Sequence, residues 1–151
     1  MGGNDEKGWE MKNLNIGDLI AIPSGDRIGL AKVVYTSDFF RNVLLLRLYR
    51  KTYPNLDINE LPAVEELSDL YYTSSDPVTE GRWTKVGFQP ISEAEKLLSK
   101  RTVGGDVWIG DEHLGPASEQ ELEVLPKMLT YGYRLIEKAI SRFPAPESGE
   151  I

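Results

Sequence analysis

Two apolar segments joined by a short turn constrain the fold of this chain more than any other feature. The first reads GDLIAIP at 17–23, and the second reads RIGLAKVVY at 27–35. A short polar break that contains Ser24 and Gly25 and ends at Asp26 separates them. Glycine adopts the positive φ that a tight reversal requires, so the pattern predicts an antiparallel β-hairpin near the start of the chain.

Further strands are predicted after the hairpin. The segment 43–50 begins as a continuous apolar run and then alternates, which favours a strand. We expect Tyr53, Pro54 and Asn55 to end it, since the residue before proline is pushed to an extended conformation. The apolar residues of 67–72 predict one short strand inside a long acidic loop, and the segments 83–86 and 107–109 predict two more.

Helices are predicted in the second half of the chain. Ser92 and Ser118 each stand three residues before a glutamate, which is the spacing of a capping box. From Leu125 to Phe143 apolar residues recur at intervals of three and four, which predicts a long helix with Pro126 in its first turn. The chain is therefore expected to be α+β, with a small, curled, mainly antiparallel sheet of about five or six strands. A short helix and a C-terminal amphipathic helix are expected to pack on that sheet.

Length and composition indicate one domain. A chain of 151 residues is long enough to bury a core, and it contains no cysteine. We expect this domain to span 13–143, with flexible tails at 1–12 and 144–151. The first residues are charged and lack an apolar stretch, which is typical of neither a signal peptide nor a membrane span. We therefore expect a cytoplasmic protein with no membrane partner.

The net charge of −7 is concentrated in two acidic segments. Residues 57–80 contain seven acids and residues 106–123 contain six, and neither segment contains a lysine or an arginine. Such a surface repels phosphate and attracts basic partners, although a solvated face that only keeps the protein soluble is the alternative. We predict a protein-binding surface with Trp108 as its apolar anchor. Its predicted members are Asp57, Glu60, Glu65, Glu66, Asp69, Trp108, Asp111 and Glu112.

An enzyme is the second class of function. It would have to use Asp111, Glu112 and His113, either as metal ligands or as a carboxylate–imidazole pair for proton transfer. The chain has one histidine and no cysteine, which leaves few ligands for zinc and no thiol nucleophile. We therefore expect no catalytic residue, no metal and no cofactor, and we expect His113 to be a turn residue.

A nucleic-acid-binding barrel is the third class. Arg47 and Arg50 lie close in sequence to several aromatic residues, as on proteins that bind single strands. The acidic balance of the chain opposes this interpretation, because binding to phosphate requires a basic face. We expect no nucleic-acid partner.

Two parts of the sequence also resemble a known family. The segment GDLIAIP with the strand after it, and the spacing G-x-W-x-x-x-G-x-x-P over 81–90, are similar to immunity protein 26 of bacterial polymorphic toxin systems. The resemblance covers roughly residues 16–90. It implies a small, mainly antiparallel β domain that binds and neutralises a cognate toxin and has no catalytic residues of its own.

The resemblance also has limits along the chain. The acidic segment after Tyr53 and the predicted long last helix depart from the family's pattern, so it identifies neither the toxin nor the contact surface. Many toxin domains act on anionic substrates and have basic clefts. We therefore expect an acidic surface to steer the toxin into contact and to occlude its active site.

Overall fold

A five-stranded antiparallel sheet forms the centre of the fold. The computed structural model describes residues 14–40, 42–54 and 68–143, and the predicted tails lie outside these ranges. The strands are β1 (Asp18–Ser24), β2 (Arg27–Thr36), β3 (Val43–Tyr53), β4 (Ser68–Ser74) and β5 (Thr84–Phe88). They lie side by side in the order β4-β3-β2-β1-β5, and every neighbouring pair is antiparallel. The predicted α+β class and its antiparallel sheet are confirmed.

The predicted hairpin is the β1–β2 pair. Ser24 pairs with Arg27, so the turn consists of Gly25 and Asp26. Gly25 has a φ of 63°, which only glycine adopts without a steric penalty. β2 is the middle strand of the sheet and is buried over most of its length, as its nearly continuous apolar sequence requires.

A second, three-stranded antiparallel sheet follows. Its strands are β6 (Arg101–Val103), β7 (Asp106–Ile109) and β8 (Glu112–Pro116). Only β7 has the predicted apolar alternation. β6 is three residues long and β8 exposes most of its side chains, so neither shows the hydrophobic pattern that identifies a strand in a sequence. The described residues thus form eight strands in two sheets, and the small sheet accounts for the excess over five or six.

Short helices accompany the two sheets. The described residues form α1 (Asp76–Thr79), α2 (Glu93–Lys96), α3 (Glu119–Val124) and α4 (Tyr133–Ile140), and a 3-10 turn at 97–99 extends α2. None of these helices has the length and apolarity of a membrane span. Both predicted capping boxes are present, with the Ser92 hydroxyl accepting from the amide of Glu95 and the Ser118 hydroxyl accepting from the amide of Glu121.

The predicted helix from Leu125 to Phe143 is wrong over its first half. Leu125 is extended, with a ψ of 143°. Pro126 disfavours the helical region for Leu125, and backbone bridges to Thr102 and Tyr72 hold the segment after Pro126 out of a helix. Only α4 keeps the predicted helical stripe, with Ile136 and Ile140 buried.

In place of the missing helical turns, residues 126–131 form an extended strap between the two sheets. Lys127 forms a parallel bridge with Thr102 of β6, and Thr130 forms another with Tyr72 of β4. The Tyr131 amide also donates to the Tyr72 carbonyl at 2.8 Å. The strap therefore holds the small sheet against the edge of the large one.

The largest apolar cluster lies between one face of the large sheet and α4. Gly29 faces this helix so closely that a β-carbon there would lie 2.7 Å from Cγ2 of Ile140. Of the predicted core residues, Val86 is only partly buried. The others are buried as predicted: Leu19, Ile20, Ile22, Leu30, Val33, Leu44, Leu46, Trp83, Ile136 and Ile140.

A charged triad joins α2 to the opposite face of the sheet. Glu95 accepts from Lys32 Nζ at 3.0 Å through Oε1 and from Arg47 Nη1 at 2.7 Å through Oε2. Lys32 is fully buried although it lies within the apolar sequence of β2. Its ammonium group is stabilised there because it donates hydrogen bonds to the Glu95 carboxylate and to the carbonyl of Pro90.

Candidate functional site

An aromatic cluster lies where the small sheet meets the loop between β2 and β3. The Phe39 and Trp108 rings stack with their centroids 5.3 Å apart, and Phe40 meets Trp108 edge-on at 5.2 Å. His113 pairs with Trp108 across β7 and β8, and its ring lies 4.9 Å away. We call these four residues the aromatic cluster.

The aromatic cluster is open to solvent. Phe39 is 66% exposed, His113 is exposed, and Phe40 and Trp108 are half-buried. Large aromatic side chains that are held by neighbours and still exposed are typical of interaction surfaces. The cluster therefore offers apolar contact area at a small cost in side-chain entropy.

Carboxylates surround the aromatic cluster. Asp38 and Glu112 are exposed and directly precede Phe39 and His113 in sequence. Asp106 lies beside the cluster, with its Oδ2 2.7 Å from Nε2 of His113. Together with Asp111, these residues form what we call the acidic rim. The rim creates a negative field that favours a partner with basic groups around its own apolar contact.

Asp111 binds the loop that presents Phe39 and Phe40. Its Oδ1 accepts from the Tyr35 hydroxyl and the Ser37 hydroxyl, each at 2.6 Å. Its Oδ2 accepts from the backbone amides of Asp38 at 2.8 Å and Phe39 at 3.3 Å. One side chain of the small sheet therefore fixes a loop of the large sheet more than 70 residues earlier in the chain.

The same contacts change the acidity of Asp111 and extend to Phe40. Burial raises the pKa of Asp111, but the hydrogen bonds from Ser37, Tyr35 and the two loop amides outweigh it and hold this pKa below its usual range. The Ser37 hydroxyl in turn accepts from the Phe40 amide at 2.6 Å. The loop is thus ordered by a carboxylate that stays ionised at neutral pH.

The buried side chain of Arg101 packs against Phe40 of the aromatic cluster. It is fully buried, and its Nη1 donates to the carbonyl of Gly110 at 2.6 Å, in the turn that carries Asp111. Its guanidinium lies 5.5 Å from the Phe40 ring and 5.1 Å from the Tyr35 ring. Arg101 therefore fixes the β7–β8 turn and the base of the aromatic loop at the same time.

The structure brings together some of the predicted site residues. Trp108, Asp111 and Glu112 all lie at the aromatic cluster or its rim. Asp69 does not, because it pairs with Leu48 in the register of β3 and β4, about 17 Å of strand from the aromatic loop. It bonds instead with Arg50 at 2.5 and 2.9 Å. The predicted residues Asp57, Glu60, Glu65 and Glu66 lie outside the described residues.

The geometry also bears on the enzyme hypothesis. Asp111 faces the aromatic loop and His113 faces Asp106, so Asp111 and His113 do not act on a common point. The expected turn at His113 is wrong, since His113 lies in β8 and the turn consists of Gly110 and Asp111. Within 14–40, 42–54 and 68–143, no group of three His, Asp or Glu side chains could hold a metal ion.

The arginines of the nucleic-acid hypothesis are bound to carboxylates. Arg47 donates to Glu95 at 2.7 Å, and Arg50 donates to Asp69. A phosphate group would have to compete with these ion pairs. The side chains are therefore poorly suited to a phosphate-binding face.

The sequence brings Phe39 and Phe40 into consideration only among the aromatic residues of the nucleic-acid hypothesis, and not as members of the protein-binding surface. The available signal is two adjacent phenylalanines within the otherwise polar connection 36–42, where no strand or helix is predicted to bury them. Their contact with Trp108 depends on pairing between segments about 70 residues apart, which a sequence pattern does not reveal.

Comparison of the chain with models of protein families, with curated proteins and with solved structures found no match. The resemblance to immunity protein 26 therefore stays a prediction from the motifs at 17–35 and 81–90.

Proposed function

We propose that this protein binds a cognate protein toxin in the cytoplasm and neutralises it by occlusion, without catalysing a reaction. The observation that carries the proposal is the aromatic cluster inside its acidic rim. Phe39 and Trp108 supply an ordered apolar centre, and Asp38, Asp106 and Glu112 supply negative charge around it. An apolar centre with a charged rim is the usual anatomy of a protein–protein interface.

The two parts of this surface have different roles in binding. Buried aromatic anchors contribute most of the affinity of an interface, whereas rim charges mainly raise the association rate and select the partner. A toxin with a basic substrate cleft would be attracted by the rim. Burial of Phe39 and Trp108 against it would then slow dissociation and exclude the toxin's substrate.

The test begins with a search of the genes adjacent to the gene for this protein for a toxin domain, which is then purified and used as the binding partner. The wild-type protein should form a complex with that domain and abolish its activity. Trp108→Ala should weaken binding by roughly tenfold or more, mainly through faster dissociation, because it removes the central anchor. Binding kinetics measured by surface plasmon resonance, and toxin activity measured in parallel, check both expectations.

Phe88→Ala is the matched control. Phe88 is also a strongly exposed aromatic residue, 58% accessible, but it lies on the edge strand β5 and outside the aromatic cluster. This variant should bind like the wild type. The proposal fails if the wild type leaves the toxin active, or if Trp108→Ala binds as tightly as Phe88→Ala.

A further inference from the structure

We infer that Asp111 is a positioning residue of this docking surface, whose carboxylate holds Phe39 and Phe40 against Trp108 and does not itself meet the partner's charges. The inference rests on the proposed function for its effect on binding. It differs from the sequence-based expectation, in which Asp111 is one of several acids that contact the toxin.

The hydrogen bonds of Asp111 support this role. An ionised carboxylate has about four acceptor positions on its two oxygens. The Tyr35 and Ser37 hydroxyls occupy Oδ1, and the amides of Asp38 and Phe39 occupy Oδ2. A lysine or arginine of the partner would have to displace one of these donors. Asp111 and the next residue, Glu112, are both exposed, so hydrogen bonding is what distinguishes them. The loop donors take up the oxygens of Asp111, whereas the charge of Glu112 is available for a partner.

The anchorage continues into the interior of the protein. The Tyr35 hydroxyl donates to Asp111 and lies 3.4 Å from Nη2 of Arg101, which is fully buried. Ser37 extends these contacts to Phe40, since its hydroxyl donates to Asp111 and accepts from the Phe40 amide. The carboxylate therefore connects a rigid buried group to the two phenylalanines, which orders them before the partner arrives.

Asp111→Asn and Glu112→Gln form a matched pair for the test. Each removes one negative charge from adjacent positions, but only Asp111→Asn replaces an acceptor oxygen with an NH₂ group that faces loop donors. We expect Asp111→Asn to raise the dissociation rate at least tenfold. Glu112→Gln should instead lower the association rate and its salt dependence, and leave dissociation within about twofold.

Ser37→Ala is a second variant that keeps the charge of Asp111. It removes the link to the Phe40 amide, so it should also speed dissociation without changing the salt dependence of association. Far-UV circular dichroism checks that each variant is folded. If Asp111→Asn fails to fold, the comparison of Ser37→Ala with Glu112→Gln still decides the question.

A measurement on the free protein separates this inference from the proposed function. Amide exchange measured by NMR should accelerate at Asp38 and Phe39 in Asp111→Asn, and near-UV circular dichroism of the stacked rings should decrease. Both should stay unchanged in Glu112→Gln. Unchanged exchange and ring signals in Asp111→Asn overturn the positioning role whether or not a toxin binds. If Asp111→Asn shows these changes but the wild type binds no toxin, the positioning role is retained and the proposed function is lost.

Discussion

Glu95 interacts with three parts of the protein at once. Its carboxylate completes the capping box by accepting from the Ser92 amide at 3.0 Å, and it also binds Lys32 and Arg47. Burial raises the pKa of Glu95, but the hydrogen bonds from Ser92, Lys32 and Arg47 outweigh it and lower the pKa below the usual range. The ionised form of Glu95 therefore stabilises the fold.

This ion pairing predicts acid sensitivity. Glu95 becomes protonated at a lower pH in the folded protein than in the unfolded chain. Its stabilisation is therefore complete above the ordinary glutamate pKa and is lost as pH falls through the lowered value. Glu95→Gln should lower the free energy of unfolding at pH 7 by about 3 to 5 kcal/mol, since Lys32 keeps its buried charge without its carboxylate. It should also flatten the acid part of the stability curve, as measured by urea unfolding at a series of pH values.

Glu93→Gln is the control for this prediction. Glu93 lies in the same helix, but it is almost fully exposed and pairs with Lys96 on the helix surface. Its replacement should change stability by less than about 0.5 kcal/mol. A wild type and a Glu95→Gln variant that lose stability in parallel on acidification would contradict the role of Glu95.

At the scale of elements, α4 is fixed by both apolar and polar contacts. Glu137 accepts from Arg82 at 2.7 and 2.8 Å and from the indole nitrogen of Trp83 at 2.9 Å. Ser24 at the end of β1 donates to the Glu137 carbonyl at 2.8 Å. These bonds set the direction of a short helix that would be marginal in isolation, and Ile136 and Ile140 supply its burial.

The close approach of α4 to the sheet predicts the effect of Gly29→Ala. A β-carbon at Gly29 would lie 2.7 Å from Cγ2 and 2.9 Å from Cδ1 of Ile140, so the helix would have to shift. We expect the free energy of unfolding to fall by about 1 to 3 kcal/mol. In an Ile140→Ala background the same substitution should cost much less, because the clashing atoms are gone. Additive losses in chemical denaturation would contradict this explanation.

At the scale of the whole molecule, the acidic charge is distributed over more than one surface. The acidic rim lies at the small sheet. Asp69 lies at the start of β4, about 17 Å of strand from the aromatic loop, and it is partly neutralised by Arg50. We therefore expect the two predicted acidic segments to contribute to binding in different ways. The rim lies beside the aromatic anchor, and we expect Asp69 to influence association through its long-range field.

This arrangement predicts how salt affects association. The triple reversal Glu65→Lys, Glu66→Lys and Asp69→Lys changes the net charge from −7 to −1. It should slow association with the toxin and reduce its salt dependence. In the wild type, association should slow between 0.1 M and 1 M salt, because the Debye length falls from about 10 Å to about 3 Å. Dissociation should change little, since the aromatic cluster is untouched.

A second triple reversal separates position from net charge. Asp26→Lys, Glu93→Lys and Glu147→Lys give the same net charge through residues outside both acidic segments and outside the acidic rim. Stopped-flow association over a salt series compares the two variants. Equal rates for both triples would show that the segment 57–69 has no special position relative to the toxin and is only a solvated face.

The sequence by itself determines the features that depend on neighbours along the chain. The hairpin is specified by two apolar strands and by Gly25, whose φ of 63° suits a tight turn. Pro54 specifies the end of β3, and Ser92 together with Glu95 specifies the start of α2. These signals act over a few residues, so the turn dihedral angles, the helix caps and the alternation do not depend on distant parts of the chain.

Only the tertiary structure decides the features that depend on distant partners. The segment 126–131 has a helical pattern of apolar residues, yet Thr102 and Tyr72 hold it extended by pairing with its backbone. The aromatic cluster likewise exists because Asp111 binds the amides of Asp38 and Phe39, which lie more than 70 residues earlier. Backbone pairing and the hydrogen bonds of Asp111 override local propensity at these places, since the free energy of pairing distant polar groups exceeds the small preference of a short segment for helix or loop.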